Sequence, residues 1–183
     1  MVDPRIAEVL RFWFEELKPE QHWVKDEGLD TTIRDRFGAL NAEAASGALD
    51  GWTESADGAL ALVIVLDQFS RNLFRGSPDS FANDAKALAV AQQAIACGHD
   101  ASQPVDRRKF LYMPFEHSED LAMQEESLRL FQTLDPAKPV DEYAVRHHEI
   151  IARFGRFPHR NAVMGRESTP EEVAFLKEPN SAF

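Results

Sequence analysis

Apolar residues along this chain return every three or four positions, the spacing of one buried helix face, and helix-capping residues punctuate the runs. Ile6, Val9, Leu10, Trp13 and Leu17 form the first stripe. It opens at Asp3-Pro4, a capping acceptor followed by a proline at the first helical position. Pro19 ends that run, and Leu29, Ile33, Phe37, Leu40 and Ala44 form the next stripe. Ser77-Pro78 opens an alanine-rich helix that runs to Cys97 and stops at Gly98. Val105 to Tyr112 predicts a short helix ended by Pro114, and Ser118 to Leu134 a longer one with Leu121, Leu128 and Phe131 on one side. Tyr143, His147, Ile150, Ile151 and Phe154 stripe a further helix closed by Gly155. Thr169-Pro170-Glu171-Glu172 has the form of a capping box for the last helix.

The third element is less direct. Ala59 to Leu66 is apolar at every position and fits a buried strand as well as a helix. The following residues decide it: Asp67, Arg71 and Arg75 recur every four positions, and Gln68 and Asn72 repeat that spacing beside them. On a helix these five side chains occupy an arc of about 140°, with Phe69 and Leu73 opposite. One long helix follows, apolar all round at its start and two-faced at its end, with Leu62, Val63, Leu66 and Phe69 in the core. No strand–turn–strand signal, Gly-rich phosphate loop or repeat of fixed period is present in the sequence. The expectation is one all-α domain spanning residues 1–183, with about eight helices in stacked antiparallel hairpins.

Composition adds limits. The chain has 183 residues, 44% of them hydrophobic, which suits one well-buried core. A formal net charge of −11 argues against a sequence-independent grip on nucleic acid or an anionic membrane. Cys97 is the one cysteine, so no disulfide forms within the chain, and a reducing compartment is expected. At an alanine-rich helix end with no basic neighbour in sequence, Cys97 reads as a small packing residue rather than a nucleophile. The start, Met-Val-Asp-Pro-Arg, lacks a basic stretch leading into an apolar one. The longest apolar run, Ala59 to Leu66, falls far below the roughly 20 residues that cross a bilayer. A cytoplasmic protein is expected; a homo-oligomeric state is not legible.

Six histidines raise the question of metals. No two are spaced i, i+4, and no glutamate lies three residues before a histidine, so neither helical metal motif is present. Glu116, His117, Glu119 and Asp120 are the residues from which a mixed site would be assembled, but the spacing gives it no support, and no metal or cofactor is expected. The charge distribution is more informative. Residues 143–166 hold Arg146, Arg153, Arg156, Arg160 and Arg166 against one acid, Glu149, in a chain that is otherwise strongly acidic. All the basic residues here are arginine, whose planar fork makes two-point contacts with carboxylate or phosphate. His147, His148 and His159 fall in the same window, and Gly155 and Pro158 mark Arg156 to Asn161 as a loop. His147 itself sits in the apolar stripe, where a core histidine with a satisfied partner is the commoner reading. Arg146, Glu149 and Arg153 have the spacing of a surface ion-pair ladder.

Three blocks stand out together: Leu66-Asp67-Gln68-Phe69-Ser70-Arg71-Asn72-Leu73-Phe74-Arg75-Gly76, Phe110-Leu111-Tyr112-Met113-Pro114-Phe115-Glu116-His117-Ser118-Glu119, and Arg153-Phe154-Gly155-Arg156-Phe157-Pro158-His159-Arg160-Asn161. With Phe12-Trp13-Phe14 they resemble the mainly bacterial family catalogued as domain of unknown function 924. Ser70, where the family pattern has proline, and Glu15, where glycine often follows the Phe-Trp-Phe run, are small departures. The resemblance implies an all-helical fold similar to tetratricopeptide-repeat proteins and implies no activity.

Two functional expectations follow. In the first, Asp67, Arg71, Asn72 and Arg75 floor a polar pocket, and His117, Arg153, Arg156, His159, Arg160 and Asn161 line its rim. That pocket binds a small phosphate- or carboxylate-bearing ligand, and any catalysis falls to His117 as acid or base, with Glu116 and Glu119 holding its ring. In the second, the same residues are only an ion-pair network inside a helical-repeat module that binds other proteins.

Overall fold

In the computed structural model, which describes residues 2–182, Asp3 accepts a hydrogen bond from Arg5 N at 3.0 Å and starts α1 (Pro4–Arg11). The helix continues as a π-helical turn, Phe12–Glu16. A 3-10 turn, Pro19–His22, leads to α2 (Glu27–Ser46), capped by Asp26 and ended by Gly47 at φ +93°. After a 3-10 turn at Asp50–Glu54 come α3 (Ala56–Val63), a π-helical stretch Ile64–Phe69, and α4 (Ser70–Leu73). Then follow α5 (Asp84–Ala96), α6 (Val105–Glu116), α7 (Leu121–Gln132), α8 (Glu142–Phe154), a 3-10 turn Pro158–Arg160, and α9 (Pro170–Phe175). With α3, the π-helical stretch and α4 counted as one continuous helix, eight α-helical elements are present among the described residues, and none of those residues forms a strand. The fold is all-α.

Local punctuation works as the sequence indicates. Thr169 and Glu172 form a reciprocal capping box, and Gly155 ends α8 in the left-handed conformation at φ +68°. Four details differ from expectation. The long central helix widens at Ile64–Phe69, where Asn41 Nδ2 donates to the Val65 carbonyl at 2.7 Å and Ser70 Oγ to that of Leu66 at 2.6 Å. Side chains thus serve carbonyls of the looser turn, and the regular 100° step assumed for Asp67 to Arg75 does not hold through it. Second, α6 passes through Pro114 and continues to Glu116, and Gln124 Nε2 collects the carbonyls of Phe115, Glu116 and Ser118 at its end. Third, Ser77-Pro78 leads into a 3-10 turn, Pro78–Phe81, and α5 begins only at Asp84. Fourth, Cys97 is exposed rather than packed.

The chain divides into two compact units: residues up to Arg75 with Asp79–Pro114, and Gly76–Pro78 with the residues from Phe115 onward. In the first, α3 packs on α1 and α5, and the π-helical stretch packs on α2. Leu62, Val63, Leu66 and Phe69 are fully buried there, and Phe69 stacks on Phe37 and meets Phe12 and Trp13 edge-on. In the second, α7 packs on α8, and Ile150, Ile151, Phe157 and Phe175 form a core against which Phe154 packs. Among the described residues no helix is long and apolar enough to cross a membrane.

Candidate functional site

In the first unit the polar end of the central helix is tied to carboxylates. Asp67, fully buried, lies 3.1 Å from Arg71 Nη1 and accepts from Gln68 Nε2 at 2.7 Å. Arg71 also grips Asp84, at 3.0 and 3.3 Å. Asn72 and Arg75 both reach Asp30 on α2: Arg75 takes both carboxylate oxygens at 2.9 Å and Asn72 donates to one at 2.8 Å. Burial pushes the Asp30 carboxyl up, but the bonds from Arg75 and Asn72 outweigh it and hold it below the usual range.

In the second unit two arginine forks hold the loop that follows α8. Arg156 binds both oxygens of Glu172, at 2.7 and 2.8 Å, and Glu172 also accepts from Thr169 N and Asn161 Nδ2. The Arg156 guanidinium holds the nearly buried Glu172 carboxyl at about 2. Arg166 binds both oxygens of Glu119, at 2.7 and 2.8 Å, and also reaches Asn161 Oδ1 and the Phe157 carbonyl. Glu119 in turn accepts from Phe157 N at 2.8 Å. Phe157 is therefore clamped on both sides of its backbone. Arg153 pairs with Glu171 at the surface rather than extending a ladder from Glu149.

These clasps present a polar cluster around the buried Phe157 ring. The ring of His147 lies edge-on to it at 5.4 Å, that of His159 is tilted against it at 5.6 Å, and the Arg160 guanidinium covers it at 4.6 Å. Arg160 Nη2 donates to the His117 carbonyl at 3.1 Å, and the His117 and His147 rings are 6.1 Å apart. Burial, then the positive charge of Arg160, pushes the His159 imidazole down to about 4. Glu116 reaches His147. Its Oε1 lies 3.0 Å from His147 Nδ1, which also faces the Tyr143 carbonyl at 2.8 Å.

His147 is thus the residue to which the sequence reading gave no site role. One signal was present: a histidine in an apolar stripe must bring a polar partner into the core, and Glu116 lies in another of the three blocks. Of the four residues considered for a mixed metal site, Glu116 turns to His147, Glu119 to Arg166, and Asp120 caps α7. Among the described residues no group of three or more His, Cys, Asp or Glu side chains is arranged to hold a metal ion. Asp67, Arg71, Asn72 and Arg75 belong to the first unit and the remaining candidates to the second.

A solved structure of a protein of unknown function from Agrobacterium tumefaciens is similar to this chain, with 41% sequence identity and a TM-score of 0.89. The similarity covers 95% of this chain and 97% of that one. No protein with a curated description matches. The sequence model of a family described as bacterial protein of unknown function, domain of unknown function 924, matches residues 9–180, and the chain belongs to that family.

Proposed function

We propose that the protein binds a small anion, a phosphate- or carboxylate-bearing molecule, in its second unit, with Arg160 and His159 as binding groups. The observation that carries this reading is the gathering of His147, His159 and Arg160 around the single ring of Phe157. Burial and then the positive charge of Arg160 disfavour a proton on His159, with Glu119 opposing them, and the Arg160 charge is the group that attracts an anion. Arg156 and Arg166, engaged by Glu172 and Glu119, hold the loop in this reading and do not contact the ligand. His117 contributes its backbone carbonyl as an anchor for Arg160. Asn72 and Arg75, closed onto Asp30, are scaffold.

The closed pairs favour a second reading, in which the whole set is a structural network in a helical module, similar to tetratricopeptide-repeat proteins, that binds other proteins. Thermal-shift measurement with inorganic phosphate, pyrophosphate and succinate separates the two. An anion at about 100 times its Kd adds roughly 2.7 kcal/mol of stability. The shift should shrink in Arg160→Lys, which keeps the charge and loses the fork. Absence of a shift with every anion puts the second reading first.

A further inference from the structure

The turn between α2 and α3 meets the start of α1 where Trp52 Nε1 donates to Asp3 Oδ2 at 3.2 Å, and a groove of about 520 Å3 lies between the two segments. That volume falls in the range of small-molecule sites, roughly 300–1,000 Å3. Every residue lining the groove belongs to the first unit. Ile6, Leu49 and Trp52, all buried, supply an apolar and aromatic floor.

Three charged side chains line the groove, and their partners are unequal. The Arg5 guanidinium is taken up by carboxylates: it holds Asp3 Oδ2 at 2.7 and 3.1 Å and Glu43 Oε2 at 2.9 Å. Glu54 is exposed at the end of its 3-10 turn and has no hydrogen-bond or ion-pair partner among the described residues. With Glu43 counted, three carboxylates stand against one guanidinium, so the local charge is negative. The N-termini of α1 and α3 also reach the groove, but Asp3 and Ser55 already cap them, and an anion would meet the Asp3 and Glu54 carboxylates. Ser55 Oγ accepts from Gly58 N at 3.1 Å and has a second lone pair to offer.

We propose that this groove binds a small organic cation, an ammonium group carried on an apolar body. The ammonium pairs with the Glu54 carboxylate and donates to Ser55 Oγ. The apolar body packs along the Trp52 floor and covers Val2, which is otherwise exposed. The site is independent of the anion reading above.

Phenethylammonium is the probe, and 3-phenylpropionate, of similar shape and opposite charge, is its control. In a 1H–15N NMR titration, the Trp52 indole N–H, assigned with Trp52→Phe, should shift saturably with phenethylammonium, together with the amides of Gly51 and Ser55. Glu54→Gln, at an exposed position, should weaken binding about fivefold, the scale of an exposed ion pair. Added salt should weaken the parent's binding towards that of the variant. Ala48→Phe, also at an exposed position lining the groove, should fill it and abolish the shift. No saturable shift with phenethylammonium overturns the proposal, and binding that survives Ala48→Phe does so by placing the probe elsewhere. Equal or tighter binding of 3-phenylpropionate, or an affinity unchanged in Glu54→Gln, overturns it by showing a groove that takes apolar bodies without regard to a cation.

Discussion

Glu116 and His147 meet at 3.0 Å inside the second unit, each with a side chain only 6% exposed. The contact joins the end of α6 to the middle of α8. A buried polar pair of this kind is costly to break from one side. Each single replacement, Glu116→Leu or His147→Leu, strands a polar group and should cost about 1–3 kcal/mol, and the double replacement less than the sum. Urea unfolding of the four proteins measures the coupling. Strict additivity would mean that the two side chains act independently.

The His159 imidazole titrates near 4 in the folded protein, below its ordinary 6.5, because burial and the Arg160 charge oppose a proton. The unfolded chain therefore binds more protons than the folded one between these values. Stability should fall as pH drops from about 6.5 towards 4 and change no further on this account below that. His159→Gln removes the difference, so its urea midpoint should vary less over that interval than the parent's. Parallel pH curves for the two proteins would contradict the assignment.

Glu172 gives the opposite case of a depressed acid. The Arg156 fork holds it at about 2, against an ordinary 4.5. Its contribution is complete above about 4.5 and disappears as pH falls towards 2. Glu172→Gln should lower the melting temperature at neutral pH and bring parent and variant together in acid. The Arg156 clasp is the cause, so Arg156→Met should reproduce the neutral-pH loss.

Gly58 opens a prediction in which two effects have opposite signs. Alanine in a helix interior is favoured over glycine by about 1 kcal/mol. A Cβ at this position would lie 2.2 Å from the Trp52 carbonyl oxygen and 2.8 Å from Ser55 Oγ. The backbone contact must give way, and overpacking of this sort costs about 1–3 kcal/mol. Gly58→Ala should therefore be destabilising in thermal melts, and a stabilised variant would show that the turn before α3 moves easily.

Much of the fold was legible because helix signals are local. Asp3 caps a helix two residues away, Thr169 and Glu172 cap each other across one turn, and Gly155 supplies a left-handed ending that needs no distant partner. The full burial of Leu62, Val63 and Leu66 follows from an uninterrupted apolar run, and that of Phe69 from its place opposite the polar side chains that come after it. The same reasoning located the blocks that carry Asp67, Glu116 and Arg160, because charge beside a core segment requires compensation.

Tertiary structure alone decided which partner each charge takes. Arg166 reaches Glu119 across 47 positions and Arg75 reaches Asp30 across 45, distances over which the sequence carries an inventory of opposite charges and no assignment among them. The π-helical turn depends on Asn41, 24 positions away, so a regular helical step drawn from the local pattern missed it. Glu116 turned to His147 because α8 brings that histidine's Nδ1 within hydrogen-bonding distance of the carboxylate, while adjacency in sequence to His117 imposes no such contact. Helix formation is settled within a few residues of chain, whereas hydrogen-bond partners are chosen by the packing of helices far apart in it.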